Sequence, residues 1–233
     1  MEGLAALIDH APLFPPASMD MPAAVAEDTR ARAGEHAWML ARFVCPASRL
    51  EELEAALAPE DAPALSVVLD GGDWRDTPFR VEAVEMVGVS REDLADVDTF
   101  CEVPLDQGWR DTLAAVAAAG AKAKLRCGGA HVPTVAEVAQ FILTARDADV
   151  AWKATAGLHH PVRSEHEHGF LNVLEAAARA EAGAAEAELR AVLDERDPAP
   201  LLGAAERPRG RFVSIGSCSF SEPVEDLHAL GLL

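Results

Sequence analysis

Short apolar segments alternate with longer amphipathic segments along most of the chain. Seven of the short segments have the length and apolar content of β-strands. They cover residues 38–45, 65–69, 81–89, 99–103, 121–127, 150–156 and 211–218. Between them, apolar residues recur at helical spacing, and Gly120 and Gly183 follow two of these stretches as helix terminators. Strands that alternate with helices predict a parallel sheet covered by helices.

The amphipathic segments predict the positions of these helices. They cover residues 23–33, 50–57, 109–119, 134–142, 170–182 and 184–193, and shorter helices begin near residues 90 and 221. The remaining choice is between an open sheet with helices on both sides and a closed barrel. An open parallel sheet is buried on both faces, so its strands are apolar almost throughout.

One face of the strand over 121–127 is charged, which argues against an open sheet. Lys122, Lys124 and Arg126 share that face, and apolar residues share the other. Because the interior of a barrel tolerates charge near the active site, this pattern predicts an α/β fold of the TIM-type (β/α) barrel class. Lys122, near the start of the strand, is expected to belong to a structural layer of ion pairs.

The domain organisation follows from the positions of these strands. We expect an N-terminal arm over residues 1–35 and a single barrel-like domain over 36–233. Since only seven strands are evident, the barrel is expected to be incomplete or irregular. Alternatively, an eighth strand lies in the arm or between Asp197 and Arg209.

Composition excludes several classes of function. Of the 233 residues, 20 are Lys or Arg and 39 are Asp or Glu, so the formal net charge is −19. Such an acidic chain is a poor match for the phosphates of nucleic acids or for anionic lipid, and no apolar run is long enough to span a bilayer. Residues 1–10 do not resemble a secretory signal, and the four cysteines are widely spaced without a CxxC motif. We therefore expect a cytoplasmic protein with reduced thiols; this composition is also compatible with a homo-oligomer.

The three lysines of the chain all lie in two neighbouring predicted strands. In a barrel, Lys124 and Lys153 would converge with Glu102 and Arg126 near the carboxyl ends of the strands. Two close lysines disfavour each other's charge, so Lys124 is expected to lower the pKa of Lys153. A neutral lysine can attack a carbonyl carbon and form a Schiff base. Lys153 is therefore the predicted nucleophile, and Glu102 is predicted to move protons.

A family resemblance supports this chemistry. Residues 153–157, Lys-Ala-Thr-Ala-Gly, resemble the Lys-Thr-Ser-Thr-Gly strand of the deoxyribose-phosphate aldolases. In that class I aldolase family the lysine forms the Schiff base on the sixth barrel strand, and Lys153 lies on the sixth strand evident here. The family pairs this lysine with an acidic residue and a second lysine on other strands. Glu102 and Lys124 could play these parts here, although they do not match the family's motifs. The resemblance covers roughly residues 121–157 and includes no counterpart of the family's late-strand lysine.

The loop after this strand holds four of the eight histidines within ten residues. Histidines can bind zinc, but the spacing between His159 and His168 fits no standard metal motif, so neither a metal nor a cofactor is predicted. His159, just after Gly157, is the predicted general acid or base, and His160 the predicted substrate contact.

Several further residues are predicted to hold the substrate. Arg126 would bind an anionic group, and Thr155 faces the same side as Lys153. The glycine turns Gly128–Gly129 and Gly216–Ser217 could present backbone N–H groups to a phosphate.

Three functions remain open at this stage. The first is a Schiff-base lyase of the class I aldolase type that acts on a small carbonyl substrate. The second is a metal-assisted barrel enzyme that uses the loop over 159–168. The third is a catalytically inactive barrel that binds a small ligand or a partner.

Overall fold

Eight parallel strands close into a barrel in chain order in a computed structural model that describes residues 1–71, 76–88 and 97–233. The strands are β1 (Ile8–His10), β2 (Leu40–Pro46), β3 (Leu65–Val68), β4 (Val81–Val87), β5 (Asp98–Glu102), β6 (Lys122–Arg126), β7 (Trp152–Thr155) and β8 (Phe212–Ser217). The predicted TIM-type barrel is therefore confirmed, and the ring is complete. It is irregular at three places, because the register shifts between β1 and β2, between β3 and β4, and between β7 and β8.

Helices cover the outside of the barrel. They are α1 (Met21–Ala33), α2 (Leu50–Ala56), α3 (Trp109–Ala118), α4 (Val135–Asp147), α5 (Phe170–Glu181), α6 (Glu186–Leu193) and α7 (Ser221–Ala229). The short helix predicted near residue 90 and the last residue of the strand predicted over 81–89 lie outside the described residues. In the part of the chain that the structure describes, no helix combines the length and the apolar content needed to cross a membrane.

The eighth strand, which the sequence left open between the arm and residues 197–209, is β1 in the N-terminal segment 1–35. It pairs with β2 on one side and with β8 on the other, where Ile8 lies opposite Ile215. At three residues, β1 is too short for a periodic pattern to mark it. The N-terminal segment thus supplies β1 and α1 to the barrel, whereas the region between Asp197 and Arg209 contains a 3-10 helical segment, Ala199–Glu206.

Local signals explain where α4 begins. Thr134 accepts a hydrogen bond from the backbone N–H of Glu137, and the Glu137 carboxylate accepts one from the backbone N–H of Thr134. This reciprocal capping satisfies two backbone donors that the first turn leaves without partners.

The two faces of the strands separate apolar from charged residues, as predicted. Cys101, Ala123, Leu125 and Trp152 are buried in the apolar layer between strands and helices. Trp152 lies edge-on to Phe141 of α4, with ring centroids 5.4 Å apart. The charged side chains of the same strands point into the barrel.

The amino-terminal half of the barrel interior holds a layer of ion pairs. Lys122 Nζ lies 2.6 Å from Asp98 Oδ2, and Arg42 Nη2 lies 3.6 Å from the same oxygen. Phe100 is fully buried beside this layer, and the Lys153 ammonium lies 5.3 Å from its ring centroid. The predicted structural role of Lys122 agrees with these contacts.

Candidate active site

A cavity of about 540 Å³ opens at the carboxyl ends of the barrel strands. Its walls come from the ends of strands and from the loops that follow β1, β6, β7 and β8. This volume lies within the range of about 300–1,000 Å³ that is usual for small-molecule sites. The location is also the one at which TIM barrels carry their active sites.

Lys153 lies at the floor of the cavity with its side chain fully buried. Its ammonium is 2.5 Å from Asp9 Oδ2 and 2.6 Å from Glu85 Oε1. Each carboxylate is held in turn by a hydroxyl: Ser214 donates to Asp9 Oδ2 at 2.6 Å, and Ser66 donates to Glu85 Oε1 at 2.8 Å. Lys153 is therefore held by two carboxylates that are both distant from it in the sequence.

These partners determine the charge of Lys153. Burial by itself would lower the pKa of Lys153, but the attraction of Asp9 and Glu85 and their hydrogen bonds outweigh it, so the pKa is raised. Burial likewise opposes ionisation of Glu85, but Lys153 and Lys124 lower its pKa to about 2. The expectation of a lowered pKa for Lys153 is wrong, because it considered the like charge of Lys124 without the two carboxylates.

Lys124 lies opposite Lys153 in the pairing of β6 with β7 and also lines the cavity. Its Nζ is 3.2 Å from Glu102 Oε2 and 3.5 Å from Glu85 Oε2. Glu85 thus bridges the two lysines through its two oxygens. The contacts of Lys124 are longer than those of Lys153, and its side chain retains 6% exposure.

Most of the residues predicted for the site line this one cavity. They are Lys124, Arg126, Gly128, Gly129, Lys153, Thr155, His159 and Gly216. Glu102 is outside the lining but contacts Lys124 directly and lies 3.9 Å from the Arg126 guanidinium.

The structure does not bring His160 and Ser217 into the cavity lining. His160 Nδ1 lies 2.7 Å from Asp226 Oδ2 of α7, and this hydrogen bond raises the pKa of His160. Ser217 is buried and donates its hydroxyl to the backbone oxygen of Ser219. Both residues therefore have structural partners away from the cavity.

The four histidines of the loop over 159–168 have separate surroundings. His159 and His166 line the cavity, whereas His168 is buried with Nε2 2.7 Å from the backbone oxygen of Pro133. Burial lowers the pKa of His168. His159 Nδ1 lies 3.8 Å from both Cys218 Sγ and Glu222 Oε2. Within the described ranges, no group of three or more His, Cys, Asp or Glu side chains could hold a metal ion.

Cys127 and Cys218 also line the cavity, and burial raises the pKa of both thiols, that of Cys127 to about 12. Because the thiolate is the reactive form of cysteine, neither residue is an activated nucleophile.

Close backbone packing accounts for the glycines at the carboxyl ends of β6 and β7. A Cβ on Gly128 would lie 2.9 Å from Gly157 Cα, which is closer than real Cβ atoms approach their neighbours. Gly129 and Gly157 have φ angles of +98° and +63°, which side chains other than glycine adopt with strain. A Cβ on Gly216 would lie 3.1 Å from Thr155 Cγ2. Gly128, Gly129 and Gly157 are thus explained by packing and backbone conformation whether or not a phosphate binds, whereas Gly216 is only closely packed.

Thr155 has an unusual environment for a hydroxyl. Its Oγ1 atom is buried and has no hydrogen-bond partner among the described residues, although the residue lines the cavity. A buried hydroxyl without a partner costs free energy unless a ligand or water satisfies it.

Sequence reasoning missed two carboxylates of the site. Glu82 and Glu85 are three residues apart on β4, so regular strand alternation predicts that at least one of them points inward. That signal could have identified Glu85. Asp9 lies on the three-residue strand β1, where no periodic pattern is available.

Comparisons with known proteins agree with this fold. The chain is similar to the solved structure of deoxyribose phosphate aldolase from Aeropyrum pernix, which is described as a unique tetramer. The match has a TM-score of 0.56 and 16% identity, and it covers 97% of this chain and 92% of that chain. The chain shares this aldolase's fold. No family model and no curated protein matches the sequence.

Proposed function

We propose that the protein is a Schiff-base lyase of the class I aldolase type, with Lys124 as the nucleophilic amine. The observation that carries the proposal is the arrangement of Lys124 and Lys153 on either side of Glu85 at the floor of the cavity. The similarity in fold to an aldolase supports the same chemistry.

Lys124 fits the role of nucleophile better than Lys153, which was the choice from sequence. The raised pKa of Lys153 keeps its amine charged, and two short contacts hold it in place. A charged amine has no lone pair with which to attack a carbonyl carbon. With β1 included, Lys153 lies on the seventh strand and Lys124 on the sixth. The sixth strand is where the resembling aldolases carry their Schiff-base lysine.

The proposed reaction begins when neutral Lys124 Nζ attacks the substrate carbonyl carbon. The carbonyl oxygen gains a proton, and the resulting carbinolamine loses water to form an iminium. The substrate's β-hydroxyl loses its proton, the bond between the α and β carbons breaks, and its electron pair converts the iminium into an enamine while the β carbon leaves as a second carbonyl compound. The α carbon of the enamine then gains a proton, which restores an iminium on Lys124. Water then releases the remaining fragment from Lys124.

Side chains near Lys124 would transfer the protons and hold the substrate in this proposal. Glu102, 3.2 Å from Lys124 Nζ, takes the proton that the amine must lose before attack. Thr155 offers its hydroxyl to the substrate oxygen, and His159 moves protons at the cavity wall. Lys153 keeps Glu85 ionised and in position between the two amines.

Borohydride trapping tests the proposal. The protein is incubated with a panel of small aldehydes and ketones, reduced with borohydride and mapped by mass spectrometry. We expect the added mass at Lys124, none in K124R, and an unchanged yield in K122R, which alters the same face of β6 two residues earlier. Added mass at Lys153 would assign the imine to that residue instead. Labelling equal to that of denatured protein with every carbonyl compound would contradict the proposal and favour an inactive, ligand-binding barrel.

Location and assembly also remain proposals. The cysteine pattern and the acidic charge support a cytoplasmic protein. The tetramer described for the Aeropyrum pernix aldolase supports a homo-oligomer. Size-exclusion chromatography with light scattering measures the mass of the assembly directly.

A further inference from the structure

The cavity has one wall that is almost entirely apolar. It is formed by Phe14, Pro15 and Pro16 in the loop after β1 and by Val44 and Val68 on β2 and β3. Pro15 and Pro16 are exposed and Phe14 is partly exposed. Apolar side chains that converge on a concave surface are the usual lining of a small-molecule site.

The polar side chains lie on a different arc of the barrel. Lys124 and Arg126 come from β6, and Lys153 and Thr155 come from β7. The reacting amine and the unpartnered Thr155 hydroxyl therefore face a wall of β1 to β3 that offers a ligand only apolar contact. Val132, in the loop after β6, adds a further apolar group at the mouth and is 45% exposed.

The charges around the cavity provide little attraction for a phosphate. Lys153 lies between Asp9 and Glu85, and Lys124 lies between Glu85 and Glu102. The Arg126 guanidinium also has Glu102 as a neighbour, at 3.9 Å. Each lysine thus has two carboxylate partners, and the half-exposed Arg126 has one at a longer distance, so a dianionic group would approach these cations against the repulsion of the carboxylates.

The start of α7, after β8, is also unfavourable for binding a phosphate. The backbone N–H of Glu222 in its first turn donates to the Ser219 hydroxyl at 3.3 Å. The Glu222 carboxylate reaches toward the cavity, with Oε2 3.8 Å from His159 Nδ1. A carboxylate at this helix end occupies the position of favourable interaction with the helix dipole and repels a second anion.

We infer that the substrate is an unphosphorylated carbonyl compound with an apolar group, aromatic or branched aliphatic, attached near the carbonyl carbon. This inference deepens the proposed function and rests on it for the carbonyl group. The apolar group packs on Phe14, Pro15 and Val132 while the carbonyl carbon lies beside Lys124.

Two sets of probes separate the apolar subsite from the imine. 2-Phenylethanol cannot form an imine, so its binding reports the subsite alone. Calorimetry should show that 2-phenylethanol binds with a negative heat-capacity change and that glycerol does not bind. Phenylacetaldehyde, glycolaldehyde and glycolaldehyde phosphate are then compared by borohydride trapping, each normalised to its rate with denatured protein. We expect half-maximal trapping of phenylacetaldehyde at a concentration at least about tenfold lower than that of glycolaldehyde, with no gain from the phosphate.

Matched variants locate the subsite. F14A and V132S should each reduce the preference for phenylacetaldehyde over glycolaldehyde about tenfold. V87S alters a 75% exposed valine at the end of β4 that is not part of the cavity lining, so the preference should stay unchanged. Because Val132 is itself 45% exposed, its substitution does not disturb the core, and V132S remains informative even if F14A misfolds.

The two proposals fail in distinguishable ways. Binding of 2-phenylethanol that F14A and V132S weaken, without trapping of any aldehyde, would contradict the Schiff base and support the apolar subsite. Trapping at Lys124 with a preference for glycolaldehyde phosphate would support the Schiff base and overturn the inferred substrate class. An equal preference in V132S, F14A and wild type would also overturn it.

Discussion

The barrel interior contains two charged layers built from the same strands, and they differ in what surrounds them. β5 and β6 supply Asp98 and Lys122 to the lower layer and Glu102 and Lys124 to the upper layer. In the lower layer, the Lys122 and Asp98 side chains are 30% and 35% exposed. In the upper layer, Lys153 is fully buried and Lys124 faces a cavity.

The difference shows that residue type and strand face do not determine the role of a lysine. Lys122 and Lys124 are two residues apart on one face, yet one completes a solvated ion pair and the other lies beside a ligand-sized space. Solvent screens the first pair, so it contributes little to stability. In the upper layer, burial makes an unpaired charge costly, so the loss of one partner of an ion pair should destabilise the fold strongly.

The largest expected effect concerns the two lysines of β6. K124R should abolish borohydride trapping of aldehydes, because a guanidinium cannot form an imine with a carbonyl compound. K122R should retain the wild-type yield. Peptide mapping after reduction measures the trapping yield of both variants. Trapping in K124R at the wild-type level would show that Lys124 does not form the imine.

The next largest expected effect is a difference between the two layers in the stability lost when a lysine is removed. K153M leaves Asp9 and Glu85 buried without their shared cation, so we expect the free energy of unfolding to fall by about 3–5 kcal/mol. K122M removes one partly exposed ion pair and should cost less than about 1 kcal/mol. Urea titration at neutral pH measures both values, and equal losses would show that burial does not distinguish the layers.

Acid should weaken the upper layer through Glu85. Its pKa is lowered from 4.5 to about 2, so its contribution to stability is present above pH 4.5 and is lost as the pH falls toward 2. E85Q should flatten the decrease of the unfolding free energy between pH 5 and 3 in urea titrations. E60Q, which alters an exposed glutamate in the segment between α2 and β3, is the control. An unchanged slope in E85Q would contradict the lowered pKa.

The smallest expected effect on stability is that of T155V. The Thr155 hydroxyl is buried without a partner among the described residues, so its loss should not lower the unfolding free energy and should raise it by about 1 kcal/mol or less. Aldehyde trapping should nevertheless fall about tenfold if the hydroxyl holds the substrate oxygen. Unchanged trapping in T155V would remove Thr155 from the site.

The fold was predictable because the alternation of apolar and charged residues along the strands shows which side chains face the barrel interior. Alternation along 121–127 was enough to place Lys124 and Arg126 inside the barrel and Leu125 outside it. The surroundings of Lys153 were not predictable in the same way. Its partners Asp9 and Glu85 are 144 and 68 residues away in the chain, and local patterns contain no information about which distant side chains meet. The sign of its pKa shift depends on those distant contacts.

β1 has a consequence for how the molecule assembles. This strand is only three residues long, yet its Asp9 holds Lys153 of β7 and Ser214 of β8. Until the first strand meets the last, Lys153 has no carboxylate from that side, and burying it is correspondingly unfavourable. Ring closure and completion of the site are thus thermodynamically coupled. A chain in which β1 is detached would lack an ordered lysine pair as well as a closed ring, so the proposed reaction requires the fully assembled barrel.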